Sequence, residues 1–213
     1  MRQAIERLGA GLPGETAAGI VSIIGGGLAL IGLPFLLTDA VRQARPAVLA
    51  GFCVYALAIL AWFSLGSLSH LLPRPRARLV FGALDTGATY FLVASSWLPF
   101  CIAHGGAVGW VLFGLLWGLS GLGILAYLFG GRRLNEFWYI VFFLGFTIAS
   151  PLLAPVHAMV GETAFPWLVL EGLLWAIGLL FRSRTSMPYN HGIWHAFGLS
   201  ASICHFFALF ALI

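Results

Sequence analysis

Arginine, proline, glycine and aspartate punctuate this chain into seven apolar stretches, near residues 16–38, 47–71, 79–103, 107–130, 136–156, 163–181 and 191–213. A helix needs about 20 mostly apolar residues to cross the hydrocarbon core of a bilayer, so each stretch is long enough for one crossing. Only 8% of the residues are charged and the mean hydropathy is +0.98, whereas an ordinary soluble domain is about a quarter charged. The expected fold is an all-α membrane protein of seven transmembrane helices over residues 16–213, behind a short N-terminal arm, residues 1–15. The first stretch exceeds the roughly 7 to 15 apolar residues of a signal-peptide core, and no small-residue cleavage site follows it, so it is expected to remain as a helix. Gly25-Gly26-Gly27 and Gly114-x-x-x-Gly118 are places where small residues let helices approach closely. Pro151 removes one backbone hydrogen bond from the fifth stretch and is expected to kink it.

All the cationic side chains are arginines, eleven in number. With seven crossings, the side of the N-terminus carries Arg2, Arg7, Arg74, Arg76, Arg78, Arg132, Arg133, Arg182 and Arg184, and the other side only Arg42 and Arg45. By the positive-inside rule this bias makes the N-terminus cytoplasmic and the C-terminus external. The net charge of +4 is thus a topology signal. Arginines scattered over short connections do not make the single basic face that nucleic acid requires. Cys53, Cys101 and Cys204 lie inside apolar runs, are odd in number and form no Cys-x-x-Cys pair. They are expected as small buried hydrophobes, with no disulfide framework.

Against this background a few ionisable residues stand out, because such groups are costly inside a membrane span and mark functional sites. His191 and His195 are four residues apart at the start of the last stretch, on one helical face with Cβ atoms about 5 to 6 Å apart. His70 closes the second stretch, and the expected topology brings it to the same cytoplasmic depth. Asp85, seven residues past Arg78, joins them about 10 Å along the third helix. A lone histidine in a span is more often a hydrogen-bonded packing element. Three histidines and an aspartate converging from separate helices instead point to a metal, and three neutral imidazoles with one open position are a common catalytic zinc shell. Asp85 could be a fourth ligand, an acceptor that holds a histidine tautomer, a general base, or a plain hydrogen bond between helices. His205 lies ten residues beyond His195, about 15 Å deeper, and so takes a packing or relay role. Glu171, mid-span in the sixth stretch, is expected either to stay neutral or to face a wet cavity. His104, His157, Glu162 and Asp39 are expected as solvated groups near the outer surface.

Several motifs follow in order: Ser67-Leu-Ser-His70, Leu84-Asp85-Thr-Gly-Ala-Thr-Tyr90 with Pro99-Phe100, Gly172-Leu-Leu-Trp-Ala-Ile-Gly178, and His191-Gly-Ile-Trp-His195 followed by Cys204-His205-Phe206-Phe207. Their order and spacing, over most of the chain, resemble the hemolysin III and progestin-and-adipoQ-receptor family of seven-helix membrane proteins. The resemblance implies a zinc ion bound by His70, His191 and His195, with Asp85 close to the metal water. It also implies a cytoplasmic N-terminus and, for a bacterial member, the inner (plasma) membrane. Related receptors and alkaline ceramidases are thought to hydrolyse lipid amides, and the bacterial members carry a hemolysin name. The family usually places a serine four residues before the first histidine. Here that position is Gly66, so either Ser67, one step along, takes the role from a shifted angle or the serine's role is lost. The N-terminal glutamate motif is reduced to Glu15, and Ser22 stands where a histidine is common.

Three functions compete. The first is a membrane-embedded zinc hydrolase acting on a membrane lipid, an amide or an ester, in which zinc activates water and polarises the substrate carbonyl. Asp85 accepts the proton there and Ser67 orients substrate or water. The second is a pore or cytolysin, which needs polar groups along several helices, yet the first and fourth stretches hold no charged residue. The third is a sensor of membrane state with a structural zinc whose fourth position is closed by protein.

Overall fold

The computed structural model describes residues 13–42, 45–130, 134, 137–138, 154–184 and 186–213. They form helices α1 (Pro13–Arg42), α2 (Pro46–Leu71), α3 (Pro75–Ser96), α4 (Leu98–His104), α5 (Gly106–Phe129), α6 (Ala154–Arg182) and α7 (Asn190–Phe210). Proline opens α2 and α3 and stands in the first turn of α4, where a missing N–H costs nothing because the first turn has no acceptor for it. Helices α3 and α4 make one crossing, Pro75–His104, so six helices among the described residues are long and apolar enough to span a membrane. The expected fifth crossing, 136–156, lies outside the described residues apart from residues 137, 138 and 154–156, and Pro151 lies outside them too.

Helix α1 packs on α2 and α7, α2 on α3, and α6 on α7. Helices α3, α2, α1, α7 and α6 are thus neighbours in that order. Aromatic side chains fill the interior, with Trp62, Tyr55, Tyr90, Phe52, Phe63 and Phe100 fully buried. Large apolar side chains such as Ile31, Phe35, Leu57, Val111 and Leu128 point outward, as a surface in contact with lipid requires. Cys53 shares that outward face with Leu57 and Ser64 and is exposed. The expectation that it is buried fails, because the stripe of α2 that carries it faces away from the bundle. Cys101 and Cys204 are buried. Gly25 sits against the Phe63 ring of α2, whereas Gly114 and Gly118 meet no other side chain. The second small-residue pattern thus mediates no contact among the described residues.

Two irregularities shape the bundle. Gly161 has φ 78°, a conformation that side chains disfavour, and it kinks α6. At Trp97 the regular helix stops ahead of Pro99, which has no N–H to donate. The hydroxyls of Ser95 and Ser96 turn back onto the carbonyls of Phe91 and Val93, and the carbonyl of Ser96 becomes an end group of α3.

Candidate metal centre

Glu15, in the first turn of α1, sits where a helix favours negative charge. Its Oε2 accepts hydrogen bonds from His70 Nδ1 at 2.7 Å and Arg78 Nη2 at 3.0 Å, and its Oε1 lies 3.3 Å from His191 Nδ1. Arg78 is itself buried and donates from Nε to the Ser69 carbonyl at 3.2 Å. The partly buried carboxylate is therefore held by a fixed cation. Two turns farther in, Ser22 gives its hydroxyl hydrogen to the Ala18 carbonyl at 3.0 Å and lies 3.2 Å from His195 Nδ1.

These partners assign the tautomers. Ser22 has its single hydrogen committed, so it accepts from His195 Nδ1–H, and ionised Glu15 accepts from His70 Nδ1–H. Each neutral ring then keeps a lone pair on Nε2, and those two nitrogens face each other at 3.1 Å. Two lone pairs at that separation repel unless a cation lies between them. Asp85 strengthens the case, for its Oδ1 is buried without a hydrogen-bond partner, and an unsatisfied buried polar atom is expensive. Donor atoms of His70, Asp85 and His195 lie within 4.8 Å of one another, as do those of Glu15, His70 and His191. Two nitrogens and one oxygen, with a further imidazole beside them, fit zinc and related borderline divalent ions.

Trp62 backs this arrangement. It is fully buried, stacks on His195 with ring centroids 5.6 Å apart, and donates from Nε1 to Thr89 Oγ1 at 3.0 Å. Thr89 in turn bonds to the Asp85 carbonyl at 2.9 Å, so one aromatic side chain orients both the α7 and the α3 contributions.

The profile of the Haemolysin-III related family matches residues 13–206. The chain belongs to that family. It is similar to Hemolysin-3 of Bacillus cereus, 28% identical over 92% of this chain and 90% of the relative. It is equally similar to the Hemolysin-3 homolog of Bacillus subtilis (strain 168), 28% identical over 92% of each chain. A more distant likeness is to the human monocyte to macrophage differentiation factor, 26% identical over 73% of this chain and 67% of the relative. The matched range holds every residue of the cluster, from Glu15 in the first turn to His195.

In this Haemolysin-III related chain the bundle brings His70, Asp85, His191 and His195 to one end. It does not bring Ser67 there, because the Ser67 hydroxyl donates to the Phe63 carbonyl of its own helix at 2.8 Å. The residue of α2 that faces the cluster is Gly66. A Cβ placed on it would lie 2.9 Å from Ser22 Oγ, 3.1 Å from His195 Cε1 and 3.4 Å from Asp85 Oδ1. Glu15, Ser22 and Arg78 complete the cluster, although spacing alone did not single them out as site residues. A signal for the first two exists in hindsight, since Glu15, Ala18 and Ser22 recur at i, i+3 and i+7 and so share a helical face. One turn beyond Ser22, Gly66 and His195 on the same three helices, a mostly apolar crevice of about 260 Å³ begins at Gly25, Phe63 and Leu199 and extends to Gly32, Tyr55 and Phe206.

Proposed function

We propose that this chain is a zinc-dependent hydrolase of a lipid amide or ester, with its reacting centre at His70, Asp85, His191 and His195. The observation that carries this reading is the pair of opposed imidazole nitrogens beside an unpartnered buried carboxylate oxygen. A zinc ion held by the three histidines would supply Lewis acidity and activated water at neutral pH. Glu15 and Ser22 keep the His70 and His195 lone pairs aimed inward by taking the opposite ring hydrogens. Asp85 is placed to accept a proton from the attacking water, and the crevice beyond Ser22 is placed to take an apolar tail. In this reading the hydroxyl at the centre is that of Ser22, and Ser67 serves its own helix. In this reading the chain makes seven crossings, the N-terminus is cytoplasmic as the arginine bias implies, and the setting is a bacterial inner membrane.

A second reading has its own support. Glu15 reaches both His70 and His191, and a carboxylate that filled the fourth metal position would make the site structural and the protein a sensor. Purified full-length protein, loaded with zinc and offered ceramides, acyl amides and lipid esters, separates the two. Hydrolysis that disappears in Asp85→Asn while zinc is retained supports the hydrolase. A zinc-replete protein that leaves every substrate intact contradicts it and leaves the sensor.

A further inference from the structure

In the half of the bundle away from Glu15, a second pair of ionisable side chains is buried where α3, α6 and α7 meet. His205 of α7 is 1% exposed and Glu171 of α6 is 9% exposed. His205 Nε2 lies 2.9 Å from the carbonyl oxygen of Ser96, and His205 Nδ1 lies 2.7 Å from Glu171 Oε2. The Ser96 carbonyl is available because α3 breaks at Trp97, which leaves the last carbonyls of the helix without partners of their own. A carbonyl can only accept, so the hydrogen on Nε2 is committed to it. The other ring nitrogen then faces a carboxyl oxygen at hydrogen-bonding distance. Filling that contact takes one hydrogen more than a neutral imidazole and a carboxylate possess.

We propose that Glu171 and His205 form a proton-binding site, distinct from the metal centre, that holds one proton between them. The proton rests either on Glu171, as a carboxylic acid donating to His205 Nδ1, or on His205, as an imidazolium donating to the carboxylate. Passage between the two moves a single proton along the 2.7 Å contact and changes no other bond. The pair is net neutral in both forms, which suits its burial. Beside it lies a cavity of about 10 Å³, lined in part by Tyr55, Ser96, Ser202, Glu171 and His205. That is room for one water with polar partners on several sides, and it gives an exchanging proton a place to arrive. Tyr55, a further titratable group, faces the imidazole 5.3 Å away between ring centroids, and Phe100 of α4 packs edge to face on it at 6.0 Å. Trp175 also lines the cavity and packs on Trp62, which covers His195, so aromatic rings stand between this site and the metal centre.

The test is to count the hydrogens. Full-length protein in lipid nanodiscs, with histidine ring nitrogens labelled, is compared by NMR and infrared spectroscopy with Glu171→Gln. The expected result for the wild type is a hydrogen on His205 Nε2. A second hydrogen is expected either on Nδ1 or on Glu171, the latter seen as a carboxylic acid stretch. In Glu171→Gln the amide donates to Nδ1, so the Nε2 hydrogen stays and the second one is lost. A His205 carrying one hydrogen, on Nδ1, beside an ionised Glu171 would overturn the proposal. So would a Glu171→Gln protein in which neither signal changes.

Discussion

Two buried polar regions share helix α7, one around His195 and one around His205, and they settle the same problem in different ways. At His205 the line from the Ser96 carbonyl through the imidazole to Glu171 is closed at both ends. One additional proton satisfies every atom in it. At His195 the partners of the outer ring nitrogens leave two inner lone pairs facing each other, with the unpartnered Asp85 oxygen beside them. A single proton between the imidazoles leaves Asp85 unanswered, whereas one divalent cation would answer both lone pairs and a water on it would give the Asp85 oxygen a donor. The comparison teaches that hydrogens and lone pairs, counted atom by atom, distinguish a metal site from a proton site even when both are built from histidine and carboxylate.

The strongest way to break the comparison is to remove an inner nitrogen. His195→Ala is expected to lower the zinc content of purified protein to background, measured by elemental analysis, because two remaining imidazoles do not make a three-ligand shell. Unchanged zinc would place the ion elsewhere. Ser22→Ala should retain the ligands but release the His195 tautomer, weakening zinc about 10- to 100-fold in chelator competition, the range for outer partners of metal-bound histidines. Glu171→Leu takes away the partner of His205 and should cost about 1 to 3 kcal/mol of stability, as for any buried polar group left unmatched. In thermal unfolding Glu171→Gln is expected to sit close to wild type. Equal losses in the two variants would show that the hydrogen bond kept by the amide does not stabilise the pair. Gly66→Ala sharpens the inner region, since the new methyl must displace Ser22 or His195 by a few tenths of an ångström. Its zinc affinity should fall, though by less than in Ser22→Ala. The smallest effect belongs to Ser67→Ala, which loses only a bond to its own helix. Stability should stay within about 0.5 kcal/mol with zinc binding intact, and a large loss of zinc there would return Ser67 to the centre.

The membrane helices were legible because the length of an apolar run is itself a physical requirement, and so was the convergence of His70, Asp85, His191 and His195 at one depth. Ser22 was marked only by the family resemblance, as standing where a histidine is common, because a serine bonded to the carbonyl four residues back looks the same anywhere in an apolar helix. Only the approach of α7 to α1 turns it toward His195. Arg78 read as a topology marker in a loop, yet its side chain folds inward onto Glu15. Glu171 and His205 were each conspicuous, but their pairing depends on the register of α6 against α7. That register is set by close packing such as that at Gly178, where a Cβ would come within 2.8 Å of Phe197 Cβ. Ser67 misled because one residue along a helix is a rotation of about 100°, enough to turn a hydroxyl from the centre to the helix's own backbone.

The most direct test of the central claim, that the Glu15 end of the bundle is a metal centre, is X-ray absorption at the zinc edge on gently purified wild-type protein, with metal content measured on the same sample. About one zinc per chain is expected, in a shell of nitrogen and oxygen at roughly 2.0 to 2.2 Å with imidazole scattering beyond it. A preparation free of bound metal that gains none on incubation with zinc would contradict it.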